Sequence, residues 1–440
     1  MSEKIKKLLS LDFDPQKLNA WLSFALLSVY LVFPIVNLIR RANGGFYFFY
    51  TWRDYIFYAA LIFVIFLVAS AIDNRKKGRT VCEKGFFIQP AFIYLALLAL
   101  WILISSVVTG FKYETVIGSE RSRTGLICSF CYFIFFVIAL SIKNEKLKKI
   151  WFAVFLSVAF VLNVVVIIDY FSGNKLNAIG ENLVFYNRNH FGYYVLVETV
   201  CAMALYSVTE KTLFRILSIA VYATGLFSLT LVDTLGCTLA VIFGAIFTVI
   251  VLILTGKFRL TRMIVLALTS AAVILILLFV PTFSGTTSAE RIKEHSDEVA
   301  DVIEKSKDIS AAPGSMGAGR LDLWRRAVRC TLEKPLFGYG LADMREQLTE
   351  ATGGRNNTVH NEFFEYSSNS GIPALGFYLA FVMAVFIRGA KNRKRLTNVQ
   401  IVSLIASFAY LASSFFGVTM FYTAPYLFIL LGFGYFTEKE

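Results

Sequence analysis

A histidine stands directly before an apolar run in the stretch TVHNEFFEYSSNSGIPALGFYL, residues 358–379. It is His360, one of only three histidines among 440 residues. A neutral imidazole can accept a proton from a hydroxyl group, so His360 is a candidate general base. Asn361 and Glu365 fall on the adjoining face of the predicted helix and are candidates for supporting contacts. An interfacial or capping role for His360 is the alternative, because it also shares a face with two phenylalanines.

A second candidate element is the stretch RLDLWRRAVRCTLEKPLFGYG, residues 320–340. Its apolar residues recur at helical spacing, and a Pro and a Gly end the helix. The predicted apolar stripe consists of Leu321, Trp324, Val328 and Leu332. The predicted solvent side holds Asp322, Arg326, Arg329 and Glu333. Arg320 and Arg325 flank the stripe, so both guanidinium groups should point into the interface if the stripe packs on the rest of the protein. The alternative for Arg320 is a position just before the helix, which leaves its direction undetermined. Arginine offers a planar fork of donors that suits phosphate oxygens.

Two further polar loops carry the same residue types. GSERSRTGL contributes Arg121 and Arg123 before one apolar run, and FYNRNHFGYY precedes another. The second loop contributes Asn187, Arg188, Asn189 and His190. Such a cluster suits a phosphate-bearing substrate. The alternative is that the arginines reach lipid phosphates and the asparagines cap helices.

The acidic residues give a weaker signal. Glu198 lies about two turns inside an apolar run, on the same broad face as His190. A carboxylate at that depth is costly, so it marks a cavity or is a hydrogen-bonded structural residue. Asp233 is placed at the turn of a helical hairpin, where it could cap a helix. Thr287 and Glu290 have the spacing of a capping box at the start of a charged, solvated helix, which contains His295.

The elements that carry these residues are predicted to be membrane helices. Hydrophobic residues make up 57% of the chain and aromatic residues 16%, more than one water-soluble domain can bury. The sequence predicts an all-α integral membrane protein with about twelve spans. The predicted spans are 21–39, 55–72, 90–108, 126–142, 150–170, 190–208, 214–232, 238–255, 263–283, 372–387, 399–416 and 420–436.

The charge distribution predicts the orientation. Cytoplasmic N- and C-termini place more than half of the 43 Lys and Arg residues in inner loops. The predicted organisation is nine spans in residues 1–283, an extracytoplasmic segment with amphipathic helices in 284–370, and three spans in 371–440. The candidate site then lies on the outer side of the cytoplasmic membrane. The net charge of +13 belongs mainly to loops against anionic lipid headgroups, and nothing favours nucleic-acid binding.

Several motifs are absent from the sequence. It contains no HExxH, no nucleotide P-loop and no Rossmann glycine fingerprint. The first outer loop, RRANGGFYFFYTWRDY, lacks the adjacent acidic pair of many metal-dependent sugar transferases. We therefore expect no metal site and no cofactor.

In order and content, these motifs resemble the O-antigen ligase and polymerase superfamily of bacterial polysaccharide assembly. The specific matches are GRLDLWRRAVRCTLEKPLFGYGL and HNEFFEYSSNSGIPALGFY. The resemblance implies an inverting, metal-independent glycosyl transfer from undecaprenyl pyrophosphate to a hydroxyl of another glycan. His360 matches the histidine that activates this hydroxyl or assists the leaving group, and Arg320 matches the arginine that binds pyrophosphate. A chain-length regulator is a further expected partner.

In one place the sequence departs from this family. A second family arginine, in Ser-Arg-Gly, corresponds to VDTLGCTLA, which has no arginine but retains Gly236. Arg188, Arg121 and Arg123 are the candidate replacements. A polymerase for capsule, exopolysaccharide or a related polymer is the first interpretation. A ligase acting on lipid A core or another acceptor is the second. A flippase for lipid-linked oligosaccharide is the third, although no internal repeat supports it.

Overall fold

The computed structural model describes residues 15–42, 49–77, 88–118, 125–172, 184–185, 187–232, 234–281, 287, 290, 293, 320–351 and 358–436. Within these ranges the protein is helical, and its only extended pairing is an isolated bridge between Pro281 and Thr287. The helices are α1 Pro15–Ala42, α2 Phe49–Lys76, α3 Pro90–Val108, α4 Tyr113–Ile117, α5 Leu126–Ser141, α6 Glu145–Phe171, α7 Arg188–Val208, α8 Thr212–Val232, α9 Leu235–Leu254, α10 Leu260–Leu277, α11 Arg320–Glu333, α12 Leu341–Ala351, α13 Glu362–Ser370, α14 Ile372–Lys391, α15 Asn398–Ser413 and α16 Ala424–Gly434.

The predicted all-α membrane fold is confirmed. Nine helices of the described part are long and apolar enough to cross a bilayer, namely α1, α2, α3, α6, α7, α8, α9, α10 and α14. Three shorter apolar helices, α5, α15 and α16, coincide with the other predicted spans. The two helices of the predicted hairpin are present as α8 and α9, but they do not form a tight pair: α8 packs mainly on α6 and α7, and α9 on α7 and α15. Asp233, between these two helices, lies outside the described residues, as do Arg121, Arg123 and His295.

The core of the bundle is built around α7. In the most apolar stretch of α7, 94% of the residues are buried inside the protein, whereas the corresponding share is 22% in α2 and in α10. Tyr194 of α7 packs edge-on against Phe155 of α6 and Tyr426 of α16, with ring centroids 5.7 Å apart in each pair. The apolar faces of α2 and α10 remain exposed, as expected for helices that contact hydrocarbon. The α7 backbone therefore provides a fixed support for its N-terminal residues.

Helices α11, α12 and α13 form a small helical unit with its own apolar core. Leu323, Ala327 and Cys330 of α11 are buried against α12 and α13. The predicted apolar stripe on α11 is therefore wrong in part: Val328 is 41% exposed and Leu332 is 70% exposed. Both faces have helical spacing, but the small Ala and Cys side chains allow the closer helix contact. The predicted capping box is confirmed, because Thr287 and Glu290 exchange hydrogen bonds of 2.7 and 3.2 Å.

A turn formed by residues 335–340 fastens this unit to the membrane helices. The Tyr339 and Gly340 amides donate to carbonyls at the C-terminal end of α13, each at 2.9 Å. The Ile372 amide donates to the Pro335 carbonyl at 2.8 Å. Trp101 of α3 stacks on Phe337 with ring centroids 5.4 Å apart. The turn thus holds α13 against α3 and α14.

We expect Gly371→Ala to detach this turn. Gly371 has a φ of 85°, and a Cβ there would lie 1.9 Å from the Leu336 carbonyl oxygen. Left-handed strain plus the clash should lower the free energy of unfolding by about 3 kcal/mol or more. Thermal melting in detergent measures the loss. Gly376→Ala on α14 is the control, because its Cβ would meet nothing within 4 Å. Equal melting temperatures for the two variants would contradict the expectation.

Candidate active site

His360 occupies a backbone position that most residues avoid. Its φ is 54°, the only positive value among the described non-glycine residues. The Trp324 indole N–H donates to the His360 carbonyl at 3.4 Å. The next residue, Asn361, caps α13 by accepting from the Phe363 and Phe364 amides at 3.0 and 3.1 Å. Contacts from α11 and α13 therefore hold His360 in a strained conformation, a feature often found at functional sites.

The surroundings of His360 keep its imidazole neutral. Burial lowers its pKa, and the Arg320 guanidinium adds to the effect, giving a pKa of about 4. Protonation beside Arg320 would place two positive charges together in a partly desolvated site. At neutral pH the ring thus retains a lone pair that can accept a proton. The structure brings together the two residues that the sequence singled out as catalytic.

Arg320 extends this site to the ends of two membrane helices. It is the first residue of α11, and its electrostatic field reaches Tyr193 of α7 and Cys237 of α9. One turn further along α11, Trp324 packs on Phe416, with ring centroids 6.1 Å apart. A Cβ at Gly236 would lie 2.7 Å from the Phe416 Cβ. The close approach of the chain after α15 therefore explains why Gly236 has no side chain.

Two carboxyl groups follow His360 on α13, that of Glu362 buried and that of Glu365 partly buried. Glu362 accepts from the Tyr410 hydroxyl at 3.0 Å, and burial raises its pKa to about 7. Burial, reinforced by the charge of Glu362, raises the pKa of Glu365 to about 8, although Arg345 and Thr419 oppose the rise. Glu365 was a predicted candidate, whereas Glu362 and Tyr410 were missed. The two glutamates three residues apart on one short helix were the available signal.

The start of α7 forms another side of the site. The Asn187 side chain caps α7 by accepting from the Asn189 amide at 2.8 Å. The Asn189 side-chain oxygen accepts from the Thr234 hydroxyl at 3.2 Å. His190 hydrogen-bonds through Nδ1 to the Tyr422 hydroxyl. Arg188 is exposed at this end of the helix. Both asparagines thus serve as structural partners of the helix ends, which was one of the alternatives.

Two predicted arginines do not match the expected arrangement. Arg325 forms an ion pair with Asp322 of its own helix at 3.3 Å and is partly exposed. Arg326, expected on the solvent side, is half-buried and donates to Gln347 of α12. Both differences arise because the face of α11 that packs on α12 and α13 is not the predicted apolar stripe. Glu198 is fully buried in the bundle and accepts from the Asn163 amide, which matches the structural alternative rather than a cavity.

A cavity of about 90 Å³ adjoins the site between α3, α5, α12 and α13. Thr358 and Val359, directly before His360, line it, and so does Glu365. Arg345 of α12 is another lining residue; it is 8% exposed and interacts electrostatically with Glu365. Neither Arg345 nor the cavity was predicted, because the positions meet only through tertiary packing.

Part of the chain is similar to a known protein family. Residues 220–379 match the model of a family described as O-antigen ligase. This match supports membership of the chain in the O-antigen ligase and polymerase superfamily. The matching part of this chain runs from α8 into α14 and contains Arg320, His360, Glu362 and Glu365. No curated protein matches the chain. The superfamily supports a role as a glycan-modifying membrane enzyme.

The buried carboxyl groups in the superfamily segment predict how stability depends on pH. The folded-state pKa of Glu365, about 8, lies above its ordinary value. Its stabilising protonated form is therefore fully present below pH ~4.3, and stability falls as pH rises to about 8. In Glu365→Gln, the melting temperature in detergent should decline less across this window. Glu346→Gln on α12, an exposed position, is the control. Identical pH profiles for Glu365→Gln and the wild type would contradict a buried, protonated Glu365.

Proposed function

We propose that this protein is a glycosyltransferase that acts at the outer face of the cytoplasmic membrane. It transfers a glycan from undecaprenyl pyrophosphate to a hydroxyl of a second glycan. The observation that carries the proposal is that the Arg320 guanidinium lies close enough to act electrostatically on a neutral, partly buried His360, which a hydrogen bond from Trp324 ties to the same helix α11. One group suits a pyrophosphate and the other suits a hydroxyl proton.

The proposed reaction is a direct displacement at the anomeric carbon. The acceptor hydroxyl oxygen forms the new bond to this carbon while the bond to the pyrophosphate oxygen breaks, so the configuration inverts. His360 accepts the hydroxyl proton, and the lipid pyrophosphate departs with the bonding electrons. Arg320 stabilises the negative charge that develops on the leaving oxygen. Fixed guanidinium groups supply this stabilisation without a metal ion.

Binding of the donor should make His360 a stronger base. An imidazole with a pKa of about 4 is a poor base in the free protein. The negative charge of a bound pyrophosphate offsets the Arg320 charge and favours the protonated imidazole, so the pKa rises when the donor binds. His360 would therefore be activated only in the complex, when an acceptor proton can be transferred productively.

A second cation at the pyrophosphate is expected from Arg188. It is exposed at the first turn of α7, where the positive end of the helix dipole favours anions. Tyr193, within the field of Arg320, lies on the same helix. Arg188 thus replaces the arginine that VDTLGCTLA lacks. Arg121 and Arg123 remain the alternatives that the sequence offers.

Polymerisation of repeat units is the reaction we favour, because the missing Ser-Arg-Gly arginine distinguishes this chain from the ligase pattern. The ligase reaction is the second candidate, since the matching family is described as O-antigen ligase. Both reactions share the donor, the base and the leaving group. A chain-length regulator would accompany the polymerase only.

The test uses purified protein in detergent with lipid-linked glycans extracted from the source bacterium. We expect release of undecaprenyl pyrophosphate and the appearance of longer lipid-linked glycan, both undiminished by a chelator. Transfer to lipid A core without elongation would favour the ligase. Donor movement across reconstituted vesicles without bond formation would favour the flippase. Loss of activity on chelation would contradict the arginine-based mechanism.

A further inference from the structure

The cavity beside His360 has the chemistry of a sugar site. Its wall combines polar side chains, among them Ser106, Ser129 and Thr419, with apolar ones such as Leu126 and Val418. Sugar rings present hydroxyl groups around their edge and C–H groups on their faces, so they need both kinds of surface. A lipid tail would need a wall without buried polar groups.

A tyrosine in the cavity wall has an unused hydroxyl. Tyr132 of α5 is 2% exposed and lines the cavity, and its hydroxyl has no hydrogen-bond partner among the residues that the structure describes. An unsatisfied buried hydroxyl costs about 1–3 kcal/mol unless water or a ligand supplies the bond. This group can both donate and accept, as a sugar hydroxyl can.

Nearby groups complement the Tyr132 hydroxyl. The Ser106 and Ser129 hydroxyls donate to their own helices at 2.8 and 3.2 Å, to the carbonyls of Ile102 and Gly125. Their oxygen lone pairs can therefore accept from a ligand hydroxyl. Arg345 brings guanidinium donors to the same cavity. The wall thus offers donors and acceptors together.

The position of the cavity relates it to the reacting atoms. Thr358 and Val359 in its wall are the two residues before His360, and Glu365 is one turn beyond. Glu365 and Arg320 both act electrostatically on Tyr193. Glu365 therefore lies in the cavity wall and also in the neighbourhood of Arg320, the residue proposed to bind pyrophosphate. Neither Arg320 nor Arg188 lines the cavity. The cavity and the arginines therefore flank His360 as separate subsites.

We propose that this cavity binds one sugar ring of the acceptor glycan and holds its reactive hydroxyl toward His360. The inference rests on the glycosyl transfer proposed above and assigns its acceptor subsite. The open cavity of about 90 Å³ admits one edge of a sugar ring, and the rest of the ring and of the glycan extends away from the protein. Acceptor specificity then resides in α5 and α12, apart from the residues that bind pyrophosphate.

The test measures binding of the oligosaccharide that mild acid releases from the extracted lipid-linked glycans, so the probe lacks both lipid and pyrophosphate. Ser129→Leu fills the cavity with a bulkier apolar group. Tyr132→Phe removes only the free hydroxyl. Tyr222→Phe is the matched control, since its hydroxyl bonds Ser270 at 2.7 Å and lies outside the cavity wall. Binding is followed by calorimetry, and folding by the melting temperature.

We expect binding to weaken about tenfold in Tyr132→Phe, in line with one lost hydrogen bond, and to vanish in Ser129→Leu. Tyr222→Phe and Arg320→Gln should bind as the wild type does. Unchanged binding in both cavity variants would overturn the proposal, as would loss in Arg320→Gln alone. Ser129-dependent binding without carrier release would overturn the glycosyl transfer but retain a sugar site. Carrier release with unaltered acceptor affinity in Ser129→Leu would overturn the cavity assignment alone.

Discussion

His360→Asn should lower the rate of glycosyl transfer by about 10³-fold, because it removes the group that accepts the hydroxyl proton. Asparagine is the informative replacement, since it tolerates the positive φ of 54° better than alanine does. The backbone and the cap of α13 should persist, so the melting temperature should stay close to that of the wild type. The measurement is the initial rate of carrier release with the extracted donor.

His295→Ala is the control for this variant, since the sequence places His295 in a charged, solvated helix. It should transfer glycan at the wild-type rate. Binding of the released oligosaccharide should also survive in His360→Asn, because the base contributes to the reaction more than to ground-state binding. A His360→Asn protein that retains a tenth or more of the wild-type rate would remove His360 from the role of base.

Arg320→Gln should lower the transfer rate by about 10²- to 10³-fold, because the charge on the departing pyrophosphate loses its nearest fixed cation. Arg320→Lys should recover part of this loss, since a lysine restores the charge but not the planar fork. The Arg320 charge helps to lower the pKa of His360, so Arg320→Gln should raise that pKa. In kcat/KM, the acid limb of the pH profile should then move to higher pH.

Arg329→Gln is the matched control for Arg320, being an exposed arginine on the same helix. It should leave both the rate and the acid limb unchanged. A lower rate in Arg320→Gln with no shift of the acid limb would contradict an effect of the Arg320 charge on the pKa of His360. Equal losses in Arg320→Gln and Arg329→Gln would indicate a general effect of positive charge on donor attraction.

The membrane helices were predictable because each span requires a long apolar run, which is a local property of the sequence. His360 and Arg320 could be singled out together because the motifs around them resemble those of the O-antigen ligase and polymerase superfamily. The buried face of α11 was not predictable. Leu323, Ala327 and Cys330 compete with Val328 and Leu332 for the same role, and only the shapes of α12 and α13 decide which face packs.

Residues whose environment comes from distant segments could not be assigned from sequence. From its local sequence Glu362 would be taken for a surface residue. In the structure it is buried and accepts a hydrogen bond from Tyr410, which lies 48 positions later in the chain. Arg345 meets Glu365 only because α12 and α13 pack together. Glu198 illustrates the converse. Its depth in an apolar run was evident, but the Asn163 amide that bonds it lies on another helix.

The turn of residues 335–340 has a consequence for the timing of the reaction. It fixes the C-terminal end of α13 to α3, while His360 and Asn361 stand at the other end of this nine-residue helix. A short helix held at one end is stiff, and the Trp324 bond to the His360 carbonyl fixes the backbone before it, so the backbone that carries the imidazole is already in place when the substrates arrive. The entropy of aligning the base is therefore lost during folding rather than in each catalytic cycle.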